Sequence, residues 1–451
     1  MKFRGLLIAL VLLAALGGLV WWSNRAEKAK EGKPAPDAAP KIAEIPDDQI
    51  QQIEFRKKDA EVTTIKKNDK DVWAIAAPKA LAADQDSVRS VTSTLSSLSS
   101  DRVVEEKAAD LGAFGLGKPA LEVVVTRKDG KTHKLFFGDE SPTGTATFAR
   151  LDGDARVFTV ANYNKSSLDK TWKDLRDKRL LTFDSDKLSR VELVAKDQTI
   201  ELGKNAKNEW TILKPKPLRA DNFQCEELVR KLKDAKMDTS VSEEDAKKAE
   251  KAFGPAKAVS TAKVTDAGGT QQLEVRKDKD NNYYAKSSVV DGIHKLTSDL
   301  GDALGKGLDD LRNKKLFDFG YNDPQKVEVR EGAKVLTFTK SGDKWTLGGK
   351  NMDSIGVQSL IDKLRDLQSK KFLERNVPAT FLDLTVVSQD GKTTDKVQIS
   401  KDGSTFLAKR ENEPSVYEVE QKSVEDIQKA AGEVKEAQPE KKDDKKDARK
   451  K

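Results

Sequence analysis

The chain has 451 residues, 35% of them charged and 6% aromatic, with 82 Lys and Arg against 75 Asp and Glu for a net charge of +7. That length suggests several domains. The basic residues are mixed with acidic ones instead of gathered into a stripe, which argues against a nucleic-acid partner. A single cysteine, Cys225, excludes an internal disulfide and a cysteine-based zinc site.

Lys2 and Arg4 precede an uncharged apolar run from Gly5 to Trp22. At helical rise such a run just spans a bilayer core. Trp21 and Trp22 stand where the helix would leave the membrane, at the depth indole rings prefer. A cleaved signal peptide is the alternative, but its small-x-small site at Ala15 and Gly17 lies inside the apolar run. Residues 1–23 therefore read as an uncut transmembrane anchor and export signal, with the body outside the cytoplasm. Residues 24–46, with Pro34, Pro36, Pro40 and Pro46, read as an extended linker.

The body from residue 47 reads as α+β, one unit of about 135 residues written three times in tandem. Trp73-Ala74-Ile75, Trp210-Thr211-Ile212 and Trp345-Thr346-Leu347 mark equivalent strands. Before them stand alternating apolar residues: Ile50, Ile53 and Phe55, then Val191, Leu193 and Ile200, then Val327, Val329, Leu336 and Phe338. After them Asp84, Asp221 and Asp353 stand as N-caps of a helix. Its apolar stripe reads Val88, Val91, Leu95, Leu98, then Cys225, Leu228, Leu232, Ala235, then Val357, Leu360, Leu364, Leu367. The offsets are the same each time and describe one helical face.

Hairpins follow. Asp129-Gly130 and Asp390-Gly391 turn two of them, and copy two has Asp266, Gly268 and Gly269 there. A last strand ends each set, around Phe158, His294 and Tyr417. Copies one and two close on Leu175-Arg176-Asp177-Lys178-Arg179-Leu180-Leu181 and Leu311-Arg312-Asn313-Lys314-Lys315-Leu316-Phe317, a motif copy three lacks and which therefore reads as a joint between copies. The division is 47–181, 182–317 and 318–431, each an antiparallel sheet with one main helix on its face, then a disordered charged tail at 432–451.

No residue pattern points to a catalytic, cofactor or metal site. His133 and His294 have no helical partner at ligand spacing; the first reads as exposed, the second as structural or surface. Cys225 takes a core position of the helix stripe. The repeated aspartates are caps sooner than a catalytic carboxylate pair. Gly112, Gly115 and Gly117 have neither a Walker nor a Rossmann outline and read as a turn, like Phe253-Gly254 in copy two. The three tryptophans read as core, with an aromatic ligand platform as the alternative.

The anchor, the repeated Trp-x-Ile strand with its Asp-capped apolar helix, and the closing heptapeptide resemble the bacterial family called domain of unknown function 4340, over roughly residues 47–430. The resemblance implies an envelope protein at the inner membrane, single-pass, with its body in the periplasm. It also implies an accessory role beside gliding-motility-type ABC transport systems, and hence an ABC-type permease or other inner-membrane protein as partner. It supplies no catalytic residues. The expected function is a non-enzymatic binding or adaptor protein. An envelope enzyme using carboxylates on glycan or lipid, and a structural spacer, are the alternatives.

Overall fold

The computed structural model describes residues 42–43, 45–238, 243–319, 324–389, 391–411 and 413–438. The expected anchor and most of the linker lie outside them, as does the tail beyond residue 438. Among the described residues no helix is long and apolar enough to cross a membrane.

The fold is mixed α+β and mostly strand, in three antiparallel sheets of nine, eight and nine strands. In the first, β1 is Ile50–Lys57, β2 Thr63–Lys67, β3 Trp73–Ala77, β4 Leu81–Ala82, β5 Arg102–Glu105, β6 Leu121–Arg127, β7 Thr132–Glu140, β8 Ala146–Leu151 and β9 Val157–Ala161. Their spatial order is β4-β3-β2-β1-β6-β7-β8-β9-β5. The eight strands of copy two, from Arg190–Ala195 to Ile293–Leu296, repeat that order without the last edge strand. Copy three, opening on Lys326–Glu331, repeats it in full. The pairing registers also superpose: Ile53 faces Val125, Val191 faces Val264, and Val327 faces Val386. Each sheet buries its alternate apolar residues against one face of helix, in three separate cores.

The capped helices are Gln85–Ser96, Asn222–Lys233 and Ser354–Asp366. Asp84 accepts hydrogen bonds from the backbone N–H groups of Asp86 and Ser87, Asp221 from that of Gln224, and Asp353 from those of Ile355 and Gly356. Each aspartate thereby satisfies donors the helix start would otherwise leave open. All twelve stripe residues are buried. Replacing Asp221 with Ala should cost about 1 kcal/mol in urea unfolding. A loss no larger than that of an exposed substitution such as Lys207→Ala would show that the cap is idle.

Three features differ from the sequence reading. A two- or three-residue strand stands between each tryptophan strand and its helix. The face also carries more helix than one per copy. Asn162–Leu168 and Trp172–Leu175 add to copy one, Ser298–Leu304 and Leu308–Leu311 to copy two, and Gln421–Glu433 to copy three. Their periodicity is too short to separate from the flanking strands, apart from the last. Copy two has a further helix, Glu243–Phe253, against its final strand, where copies one and three place an edge strand.

The segment limits shift too. Ile42, Ala43 and Ile45, within the expected linker, are buried in the first core, and the Ile42 N–H bonds the Leu98 carbonyl at 3.3 Å. At the other end, Lys435 accepts from the Asp353 N–H and Ala437 donates to Asn351, both at 2.8–2.9 Å. These bonds match Leu175 with Asp84 and Asp177 with Ala82, and Leu311 with Asp221 and Asn313 with Arg219. Copy three thus closes as the others do, with Lys435–Ala437 in place of the heptapeptide, and the charged tail starts later than residue 432. Backbone bonds make this closure, with one exposed Lys350–Glu436 ion pair beside them, so it leaves little mark on side-chain choice.

The chain forms two compact units, residues 1–178 and 179–451, so copies two and three share one. The first closing motif straddles the division: Leu175 is buried in the core of copy one, and Leu180 and Leu181 in that of copy two. Leu311 is likewise buried in copy two, and Leu316 and Phe317 in copy three.

Candidate functional site

The second closing motif positions the most elaborate side-chain cluster in unit two. Strand Trp210–Lys214 and the short strand Leu218–Arg219 of copy two face the Glu413–Tyr417 segment of copy three across a polar cleft of about 320 Å³. Arg219 reaches across it, its Nε 2.7 Å from Glu413 Oε1. Arg410 Nε lies 2.7 Å from that same oxygen, and Arg410 Nη2 is 2.7 Å from Asp395 Oδ1. The Tyr417 hydroxyl donates to Glu413 Oε2. A further Arg410 nitrogen donates to the Leu316 carbonyl of the closing motif. Ser287, which holds the equivalent sheet position in copy two, donates to the Leu180 carbonyl.

Arg312 of the motif completes the cluster. Its guanidinium lies 3.5 Å over the Phe372 ring and donates to Ser415 Oγ at 2.8 Å. Burial and then the Glu413 charge push the Tyr417 phenol up. Burial opposes charge on Arg410, but the Glu413 and Asp395 carboxylates outweigh it and hold the guanidinium charged above its ordinary range. Glu413 accepts from the Arg410 guanidinium and the Tyr417 phenol, with Arg219 close by but outside hydrogen-bonding geometry, and is poorly placed to take a proton from a substrate. The arrangement is a charge-assisted clamp between copies.

The residues singled out in the sequence fall elsewhere. Trp73, Trp210 and Trp345 are all buried in their cores, and the Trp210 indole N–H donates to Glu226 at 2.6 Å. Lys67, Lys204 and Lys340 pair with the three tryptophans in register. Cys225 is fully buried, its thiol pushed up to about 12 by burial and then by the Asp221 and Glu226 charges. His294 faces Ala285 as Phe158 faces Ala149 and Tyr417 faces Ala408, so it does hold the ring position of the repeat. His133 is half-buried, not exposed. It continues the inward row of Leu135 and Phe137, and burial, then the Arg127 charge, holds its imidazole below the usual range.

Gly112–Phe114 is a 3-10 turn ended by Gly115 at φ 68°. Its tightness comes from Gly138, where a Cβ would sit 2.1 Å from the Phe114 carbonyl oxygen. Among the described residues no group of three or more His, Cys, Asp or Glu is placed to hold a metal.

The clamp residues lie outside what the three copies share, so the repeat pattern does not mark them. Arg219 stands, by register, where the other copies have Ala82 and Asn351. That mismatch was the available signal. No curated protein and no solved structure matches the chain. One family model, described as Domain of unknown function (DUF4340), matches residues 73–216 and 210–383, crossing from copy one into two and from two into three. A match over that much of the chain, on the tryptophan strands, capped helices and closing motifs, makes the protein a member of the DUF4340 family.

Proposed function

We propose that the protein is a non-enzymatic adaptor, anchored in the inner membrane by residues 1–23, that works by contact with an ABC-type permease from the periplasmic side. The observation that carries this reading is the clamp. Copies two and three are joined by the half-buried Arg219–Glu413 pair and by the buried Arg312–Ser415 hydrogen bond, which suits a surface that presents a set shape to a protein partner. The apolar run Gly5–Trp22 and the Pro-rich stretch behind it would tether that surface at the membrane. The permease enters through the family resemblance.

Crosslinking in membranes followed by purification tests the proposal. Transporter subunits should be recovered with the full chain, and equally when residues 1–23 are replaced by an unrelated anchor. Deleting residues 47–437 should abolish recovery. Equal recovery without the array, or no transporter subunit at all, would reject the adaptor role in favour of a spacer.

A further inference from the structure

Copy two differs from its neighbours at one end of its core. Ser260 faces Ala195 where copy one pairs Leu121 with Lys57 and copy three pairs Leu382 with Glu331. Leu121 and Leu382 are buried and fill their cores. Ala262 likewise replaces Val123 and Leu384 at the next inward position. On the covering helices, Gly305 and Leu308 stand where copy one has Asp169 and Trp172, counting from the equivalent helix ends Leu168 and Leu304. Of these four smaller residues, Ser260 and Gly305 line a common cleft.

The space left is a cleft of about 510 Å³, lined mostly by apolar atoms, among them those of Val194, Val259 and Tyr283. Ser260 lines it, is 4% exposed, and its hydroxyl has no hydrogen-bond partner. Serine at this inward position shortens the wall of the cleft by most of a leucine side chain.

The rim carries a second anomaly. Lys257 and Lys277 both line the cleft and stand directly opposite each other in the sheet. Like charges in that relation repel. Lys277 lies 4.8 Å over the Tyr283 ring, and Lys196 at the other side is drawn to Asp310 at 3.4 Å. Of the acids at the cleft, Asp302 accepts the Tyr283 hydroxyl at 2.5 Å, and Asp197 stands beside Lys196.

We propose that this cleft in copy two is a binding site for a small free carboxylate with an apolar body. Its anionic end would sit between Lys257 and Lys277 and its body in the space that Leu121 and Leu382 fill in the other copies. Burial of the body drives binding, and the charge fixes its direction. The site is independent of the adaptor reading, because it needs no membrane partner.

Octanoate, with octanol as its uncharged counterpart, is the probe. The full chain, held in nanodiscs of neutral lipid, is titrated by calorimetry against empty discs. Octanoate should bind saturably and more tightly than octanol. Ser260→Leu, which restores the residue of the other copies, should weaken octanoate by at least about tenfold while the unfolding temperature holds or rises. Lys257→Gln with Lys277→Gln should weaken octanoate about tenfold and leave octanol unchanged. No saturable binding to the wild type, unchanged binding to folded Ser260→Leu, or equal loss of both probes in the lysine variant would overturn the assignment.

Discussion

Replacing Cys225 with Asp should destabilise copy two by about 3–5 kcal/mol, whereas replacing it with Val should change stability by less than about 1.5 kcal/mol. Its place in the helix is taken by Val88 and Val357 in the other copies, and all three are fully buried. Valine therefore fits a volume the fold already accommodates twice. Aspartate would bring a charge into a fully buried position beside Asp221 and Glu226, with Lys306 only a weak counter-charge. Thiol reagents should label Cys225 slowly in the native protein and fast in denaturant, and rapid native labelling would sink the core assignment. Its pH dependence has a definite sign. The folded thiol titrates near 12 against an ordinary 9.0. Between those values the unfolded chain has released the proton and the folded chain holds it, so stability falls as pH rises. The valine variant has no such group. Its stability relative to wild type should rise by up to roughly 1.4 kcal/mol per pH unit across that window. A difference flat from pH 8 to 11 would show that the thiol is not held in the core.

The same residue shows what repetition makes legible. Cys225 alone has no evident role, but its alignment with two valines identifies a core position. The aspartate caps are legible in the same way, because a carboxylate before three apolar stripes of equal spacing has one local use. Local chemistry repeated three times is strong signal. What the sequence concealed was non-local or particular to one copy. Closure of copy three by Lys435–Ala437 rests on backbone hydrogen bonds, which any residue but proline can make. Burial of Ile42 and Ile45 needs a site on the first core that no linear pattern announces. The clamp joins Arg219 to Arg410 and Glu413, which lie far along the chain from it, and the cleft of copy two is visible only through what Ser260 replaces.

Removing the central acceptor of the clamp should be the most damaging single change between copies two and three. The side chains of Arg410 and Asp395 are each 11% exposed, and that of Glu413 is 19% exposed. In Glu413→Ala, Arg410 keeps Asp395 but loses the bond at its Nε, Arg219 loses its carboxylate, and the buried Tyr417 hydroxyl loses its acceptor. Breaking a buried pair from one side costs about 3–5 kcal/mol, because the partner's charge stays behind unmatched. Calorimetry of the full chain should show the shared transition of copies two and three fall in temperature or divide. Glu413→Gln keeps one acceptor oxygen and should lose less. Arg219→Ala takes away a side chain 24% exposed, whose charge water can partly replace, and should cost nearer about 1 kcal/mol. Lys196→Ala, which removes a 64% exposed partner of Asp310, supplies the reference for a surface pair. If Arg219→Ala costs no more than Lys196→Ala, the ion pair that crosses between the copies does not hold them together, and the rigid surface assumed for the adaptor loses its support.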